Sequence, residues 1–198
     1  MLRPRSSATA RILGSLLCLV LATPLKAAEA MPVAADVQVA LLLKILTYDR
    51  SFAYKAKSGV SIGVVFAPAD ADSVRAKDEV LKTLARLEGR TIKNLPITYT
   101  AIEYRDPAGL EKAMRTNRVN VFYVAPGNSL ALAAVLKLSQ TYAITTVTGV
   151  PEYVARGVAI GIGAKAGNKP DILINLGASR KEGSEFDASL LRIATVVK

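Results

Sequence analysis

The sequence predicts a single α/β domain of flavodoxin-like type, a mostly parallel sheet flanked by helices and extended by a C-terminal antiparallel hairpin. Three observations carry this. Residues 60–148 alternate strand-like and helix-like stretches, joined by connections short enough for right-handed crossovers. Within them, Val119, Val121, Phe122, Val124 and Ala125 form an apolar, β-branched and aromatic run that Pro126-Gly127-Asn128 stops. Such a run reads as a strand buried on both faces, hence central in a parallel sheet. Finally, the strand-like stretches 158–165 and 171–175 are separated by too few residues for a helical crossover, so they pair antiparallel.

Taken in order, residues 36–48 predict a helix apolar nearly all round, interrupted only by Asp36, Gln38, Lys44 and Thr47. It must be covered on most sides, first by its own domain. Asp49-Arg50-Ser51 ends it, with a local ion pair there. Residues 60–66 form the first strand, and residues 67–70 turn into a helix reaching about Leu87, capped by Asp72 or Ser73, with Val74, Leu81, Leu84 and Leu87 on one face. Gly89 stops it. Residues 97–102 alternate apolar and polar, as a strand with one exposed face at a sheet edge does. Asp106-Pro107 caps and opens a short helix through Met114. The central strand follows, then a helix over 129–141 and a strand over 143–148. After the hairpin, two short helices are expected at 176–181 and 187–196, separated at Gly183.

Ahead of this domain, Arg3, Arg5 and Arg11 precede an apolar run over 12–22, and Ala28-Glu29-Ala30 places small residues at the first and third positions. This is the pattern of a secretory signal peptide over 1–30, with export to the periplasm and a domain over 31–198. The run is far short of the roughly 20 residues a membrane-spanning helix needs. Cys18 lies inside it, behind Leu17, and goes with the leader. The chain carries 26 basic and 16 acidic residues. Removal of the leader leaves the domain still basic, but its Lys and Arg are scattered without aromatic interleaving, so no nucleic-acid partner is expected.

The domain also lacks cysteine, histidine and tryptophan. Disulfides, Cys or His nucleophile systems, His-based zinc sites and Ser-His-Asp triads are excluded together, and neither an enzyme nor a cofactor is expected. Carboxylates such as Asp70, Asp72, Glu103, Asp106 and Glu152 make no metal or acid/base spacing. Gly161-Ile-Gly163-Ala-Lys-Ala-Gly167 superficially matches a nucleotide fingerprint, but no helix follows to receive a pyrophosphate, and a hairpin bend explains the glycines. Three loops, 68–73, 126–129 and 148–151, converge on one edge of the sheet, where ligands of open α/β sheets collect. Asn128, Ser129 and Thr148 are the candidate ligand contacts there, with Ser129 at a helix start offering free N–H groups to a small anion such as a carboxylate or phosphate. Ordinary capping and turn chemistry explains each of the three alone.

The tail Ile-Leu-Ile-Asn-Leu-Gly-Ala-Ser-Arg-Lys-Glu-Gly-Ser-Glu-Phe-Asp-Ala-Ser-Leu-Leu-Arg-Ile-Ala over 172–194 resembles the closing signature of the YfiR family. There a strand ends in Asn, a small-residue helix carries an Arg and reaches a Gly, and a last helix carries Ser-Leu-Leu. Gly149-Val-Pro-Glu-Tyr-Val-Ala-Arg-Gly-Val-Ala-Ile is similar to the family's loop and short helix before its penultimate strand. The chain departs from the family at Thr47-Tyr48-Asp49-Arg50, where an aromatic Trp-Pro pair is common, and at Arg118, where a Cys is frequent. The resemblance implies a periplasmic regulatory protein that binds an inner-membrane sensor protein, a diguanylate cyclase or kinase, and holds it inactive. Leu42, Leu43 and Leu46 of the apolar helix are the expected contacts with that partner or with a second copy in a homodimer. The alternative is the solute-binding component of a transport system.

Overall fold

The computed structural model describes residues 29–57 and 59–197. The expected leader lies outside the described residues except for Glu29 and Ala30. The elements run α1 (Ala35–Tyr48), α2 (Phe52–Ala56), β1 (Val60–Phe66), α3 (Ala71–Ala85), β2 (Thr91–Ile92), β3 (Leu95–Glu103), α4 (Pro107–Thr116), β4 (Val121–Val124), α5 (Leu132–Tyr142), β5 (Thr145–Thr148), α6 (Pro151–Ala155), β6 (Ile160–Lys165), β7 (Lys169–Asn175), α7 (Leu176–Lys181), α8 (Ala188–Ile193) and β8 (Thr195–Val197). The sheet order is β2-β3-β1-β4-β5-β6-β7-β8. Strands β3, β1, β4, β5 and β6 are mutually parallel, the 2-1-3-4-5 order of flavodoxin-like sheets. The reversal falls between β1 and β4, and there the carboxyl-end loops diverge to opposite faces.

Alternation along the central strands divides the interior into two layers. Val121 and Tyr123 face a core with Val39, Leu42, Ile45 and Leu46 of α1 and Val80 and Leu84 of α3. Phe122 and Val124 face the other, with Leu110 and Met114 of α4, Val135 and Leu138 of α5 and Tyr153 of α6. All four β4 residues are buried, as a central strand requires. Antiparallel β6–β7 pairing confirms the hairpin, with Gly167 at φ +77° in its turn. Gly161 lets α6 approach, since a Cβ there would run into Val154.

The apolar helix α1 is covered by its own domain. Leu42 is 1 % exposed and Leu46 fully buried, so neither presents a surface, and only Leu43 of the three expected partner contacts keeps partial access. Solvent meets the helix along Asp36, Ala40 and Lys44, a narrow stripe at spacing four. Gln38, buried in the middle of α1, is satisfied at both ends: its Nε2 donates to the Val33 carbonyl (2.6 Å) and its Oε1 accepts from the Tyr123 hydroxyl (2.5 Å). Gly149 is small for the same reason, because any Cβ there would collide with the Gln38 amide.

Other local expectations shift with the caps. Asp70, not Asp72 or Ser73, caps α3, accepting from Ser73 N (2.9 Å), while the Ser73 hydroxyl accepts from Ala67 N. β3 is next to the edge, with two-residue β2 outside it. The stretch expected as one helix over 187–196 is α8 followed by β8, which pairs parallel with β7. Asp106 caps α4 through Gly109 N (2.8 Å), with Pro107 in the first turn. Replacing this exposed cap, Asp106→Ala, is expected to cost about 1 kcal/mol. A thermal melt should drop by roughly 2–4 °C for a domain of this size.

Candidate functional site

The carboxyl ends of β1, β4 and β5 bring their three following loops together, as the parallel order dictates. Asn128 is the central brace. Its side-chain amide donates to the carbonyls of Val65 (3.1 Å), Ala125 (2.9 Å) and Pro126 (3.3 Å), so one side chain ties the end of β1 to the turn after β4. Its backbone N–H donates to the Tyr153 hydroxyl (3.0 Å), adding helix α6, which follows β5. Thr148 is a second brace, donating to the Val124 carbonyl (2.9 Å) and accepting from Val150 N (3.0 Å). Both are buried, Asn128 at 1 % exposure and Thr148 completely, so they hold the loops in place by the turn chemistry that explains each alone.

Ser129 does not start a helix. Helix α5 begins at Leu132, whose N–H bonds the Asn128 carbonyl, and residues 129–131 are spent on the turn before it. Ser129 instead faces a carboxylate. The side chain of Glu29, from the segment ahead of α1, accepts from the Gly127 N–H (2.6 Å), the Ser129 hydroxyl and the Tyr153 hydroxyl. Arg156 stands behind this group, donating to the Ser129 hydroxyl (2.8 Å) and carbonyl (3.1 Å) and lying over the Tyr153 ring, 5.4 Å from its centroid. Burial, and then the carboxylate beside it, push the Tyr153 phenol well above its ordinary range, so it stays a donor at any physiological pH. Gly127 has φ +75°, and a Cβ on it would sit 2.6 Å from Asp70 Cγ, so only glycine turns the chain here and presents its N–H.

Of the three candidates, then, Ser129 touches the carboxylate, while Asn128 and Thr148 lie beneath it as scaffold. Gly127, Tyr153 and Arg156 were not singled out by sequence, although Tyr153 and Arg156 lie three apart, the spacing that places side chains together on one face of a helical turn. A groove of about 410 Å³ adjoins the site, lined by residues 29–34 and by Asp72, Arg75, Glu79 and Pro126. Among the described residues no group of three or more His, Cys, Asp or Glu is placed to hold a metal ion.

A second polar cluster lies at the amino end of β5. The ammonium of Lys55, on α2, donates to the hydroxyls of Thr145 (2.7 Å) and Ser184 (2.7 Å) and to the Glu182 carbonyl (3.2 Å), and pairs with Asp49 at 3.5 Å. This replaces the expected local pair within Tyr48-Asp49-Arg50. Glu182 is buried and accepts from the hydroxyls of Ser139 (3.0 Å) and Thr146 (2.6 Å) and from Thr146 N (2.9 Å). Burial drives its carboxyl up to about 7, against these donors and Lys55.

A family model described as YfiR/HmsC-like matches residues 35–195. No protein of curated function matches the chain in sequence. Among solved structures, a conserved domain protein from Vibrio cholerae is similar at TM-score 0.57 and 16 % identity, with 83 % of this chain and 60 % of that one covered. A domain in complex with L-Trp from Streptococcus pneumoniae gives 0.58 and 13 %, over 83 % and 60 %. A ligand-free, open substrate-binding protein with adhesive properties from Clostridium difficile gives 0.57 and 16 %, over 84 % and 60 %. The chain thus spans about 60 % of the length of each. At these identities the likeness is one of fold.

Proposed function

We propose, because the chain belongs to the YfiR/HmsC-like family, that it is a periplasmic regulatory protein which holds an inner-membrane signalling enzyme, such as a diguanylate cyclase or a kinase, in its inactive state through protein–protein contact. The observation that carries this reading is the family match over residues 35–195, almost the whole described domain. The family is regulatory and periplasmic, and among the described residues no helix is long and apolar enough to cross a membrane. A protein that binds the inactive conformer of an enzyme more tightly shifts its population, and a ligand that weakens this binding releases the output by the same coupling energy.

Leu42 and Leu46 are core residues, so the proposed contact draws on residues that solvent reaches. Leu43 keeps partial access, and Leu130, 93 % exposed, adjoins Ser129, so a partner seated there would feel what occupies the strand ends. The test is capture of a membrane cyclase or kinase by the tagged chain from solubilised inner membranes, with its activity assayed with and without the chain. Added protein is expected to inhibit the captured enzyme, and Leu43→Lys or Leu130→Lys to weaken inhibition at least tenfold while the melting temperature holds. A captured enzyme whose activity does not change overturns the regulatory reading.

The second reading is a solute-binding component. It is favoured by the structural neighbours, one a substrate-binding protein and another solved with L-Trp. No membrane enzyme in the capture, together with a raised melting temperature in a transported solute, would establish it in place of the first.

A further inference from the structure

We propose that the Gly127 N–H and the hydroxyls of Ser129 and Tyr153, with Arg156 behind them, form a binding seat for a carboxylate-bearing small molecule, which Glu29 fills in the unprocessed chain and cleavage after Ala30 opens. The seat already holds a carboxylate in the structure, gripped at once from the turn after β4 and from α6 by donors 98 to 124 residues away in sequence from Glu29. The grip does not depend on a fortuitous surface: Gly127 is fixed by its positive φ and by Asp70, and the Tyr153 hydroxyl by the Asn128 N–H. Charge-assisted bonds of this kind are about twice as strong as neutral ones.

Glu29 stands one residue before the expected cleavage point, in the Ala28-Glu29-Ala30 sequence that the pattern requires only at its first and third positions. Cleavage there carries away the carboxylate and leaves all its donors on the exported domain. It also creates an α-ammonium on Met31, whose sulfur stays anchored near the Tyr123 hydroxyl (3.6 Å). One negative charge leaves and one positive charge appears two residues along the chain. The emptied seat then has three preset donors, the Arg156 guanidinium and the new ammonium; the Asp70 carboxyl beside Gly127 is engaged in capping α3 through Ser73 N. The adjoining groove, whose wall includes Glu29 and Ala30, gains the volume those two residues vacate and has room for the rest of a ligand. The groups in direct contact with the carboxylate are all neutral, since Arg156 donates to Ser129 and not to the anion; such a set suits a singly charged group better than a phosphate dianion, which draws on cations in direct contact.

This deepens the regulatory reading by giving it a ligand class, and it is tested without the partner, so that either can fail alone. Two forms of the protein are compared, one beginning at Met31 and one beginning at Ala28, each followed by the amide resonance of Gly127 during titration. The probes are acetyl-Ala-Glu-Ala-amide, its Gln counterpart and inorganic phosphate. In the form beginning at Met31 the Glu peptide should shift Gly127 saturably, with the Gln peptide and phosphate at least tenfold weaker. The form beginning at Ala28 should bind the Glu peptide at least tenfold more weakly. Ser129→Ala, a partly exposed position, should weaken binding about tenfold with the fold intact. An unmoved Gly127, an equal response to the Gln peptide or phosphate, or equal binding by the two forms overturns the proposal.

Discussion

Replacing Lys55 by methionine is expected to destabilise the protein by about 3–5 kcal/mol at pH 8 and by clearly less at pH 5, read from urea unfolding at the two pH values. Its side chain is 5 % exposed, and burial lowers its pKa against the opposing pull of the Asp49 and Glu182 carboxylates. Without the ammonium, two buried carboxylates remain with no cation between them. The Asp49 Oδ1 still accepts from Ser51 and from Glu185 N, whereas Oδ2 has no hydrogen bond among the described residues and pairs with Lys55 at 3.5 Å. Burial alone would raise the Asp49 pKa; the Glu185 N–H, Lys55 and the serines hold it low instead. Losing Lys55 removes one of those supports, so both carboxyls become easier to protonate. Acid then relieves the variant and alkali does not, which is why the gap from wild type widens with pH. A gap of the same size at both values would mean that Lys55 contributes packing and hydroxyl contacts alone.

This cluster also shows where sequence reading stopped. Strand β1 was legible to the residue, and the two-sided burial of 121–124 followed from an unbroken apolar run. The hairpin was legible because five residues cannot make a crossover. Strand β8 was not, since Thr195-Val196-Val197 continues an apolar helical spacing and becomes a strand only because β7 offers a free edge. Leu42 and Leu46 read as a sticky surface because a helix apolar on most faces looks the same whether its own chain or another covers it. The convergence of the three loops was legible from the topology, and it placed Ser129 among them, although in a turn and not at a helix start. The carboxylate was not: Glu29 meets Ser129 across 100 residues and Tyr153 across 124, and no local pattern links them. Capping was misassigned for a local reason. Asp72 and Ser73 are both good caps, and Asp70 wins because its carboxyl reaches Ser73 N while the Ser73 hydroxyl is spent on Ala67.

The stability of the domain is expected to fall by roughly 3 kcal/mol between pH 4.5 and pH 7.5, and Glu182→Gln to abolish most of that slope. The Glu182 pKa is raised, by burial, from its usual 4.5 to about 7. In this window the native state therefore binds a proton that the unfolded chain has released. The contribution is complete below about 4.5 and is lost as pH rises through 7. Asp49, held low, works in the opposite sense and in another window, losing its contribution only as pH falls below the usual 3.8. The chain contains no histidine, so the side chain that ordinarily titrates near neutrality is absent and the slope is not masked by it. A glutamine copies the protonated form: its oxygen accepts from Thr146 N, and its amide donates to the Ser139 or Thr146 hydroxyl, either of which turns to accept. The variant should match wild type near pH 5 and exceed it at pH 7.5. Denaturant midpoints for the two proteins, taken every half pH unit from 5 to 8, decide the matter; parallel curves would mean that Glu182 is already ionised at pH 5 and that Lys55 keeps it so.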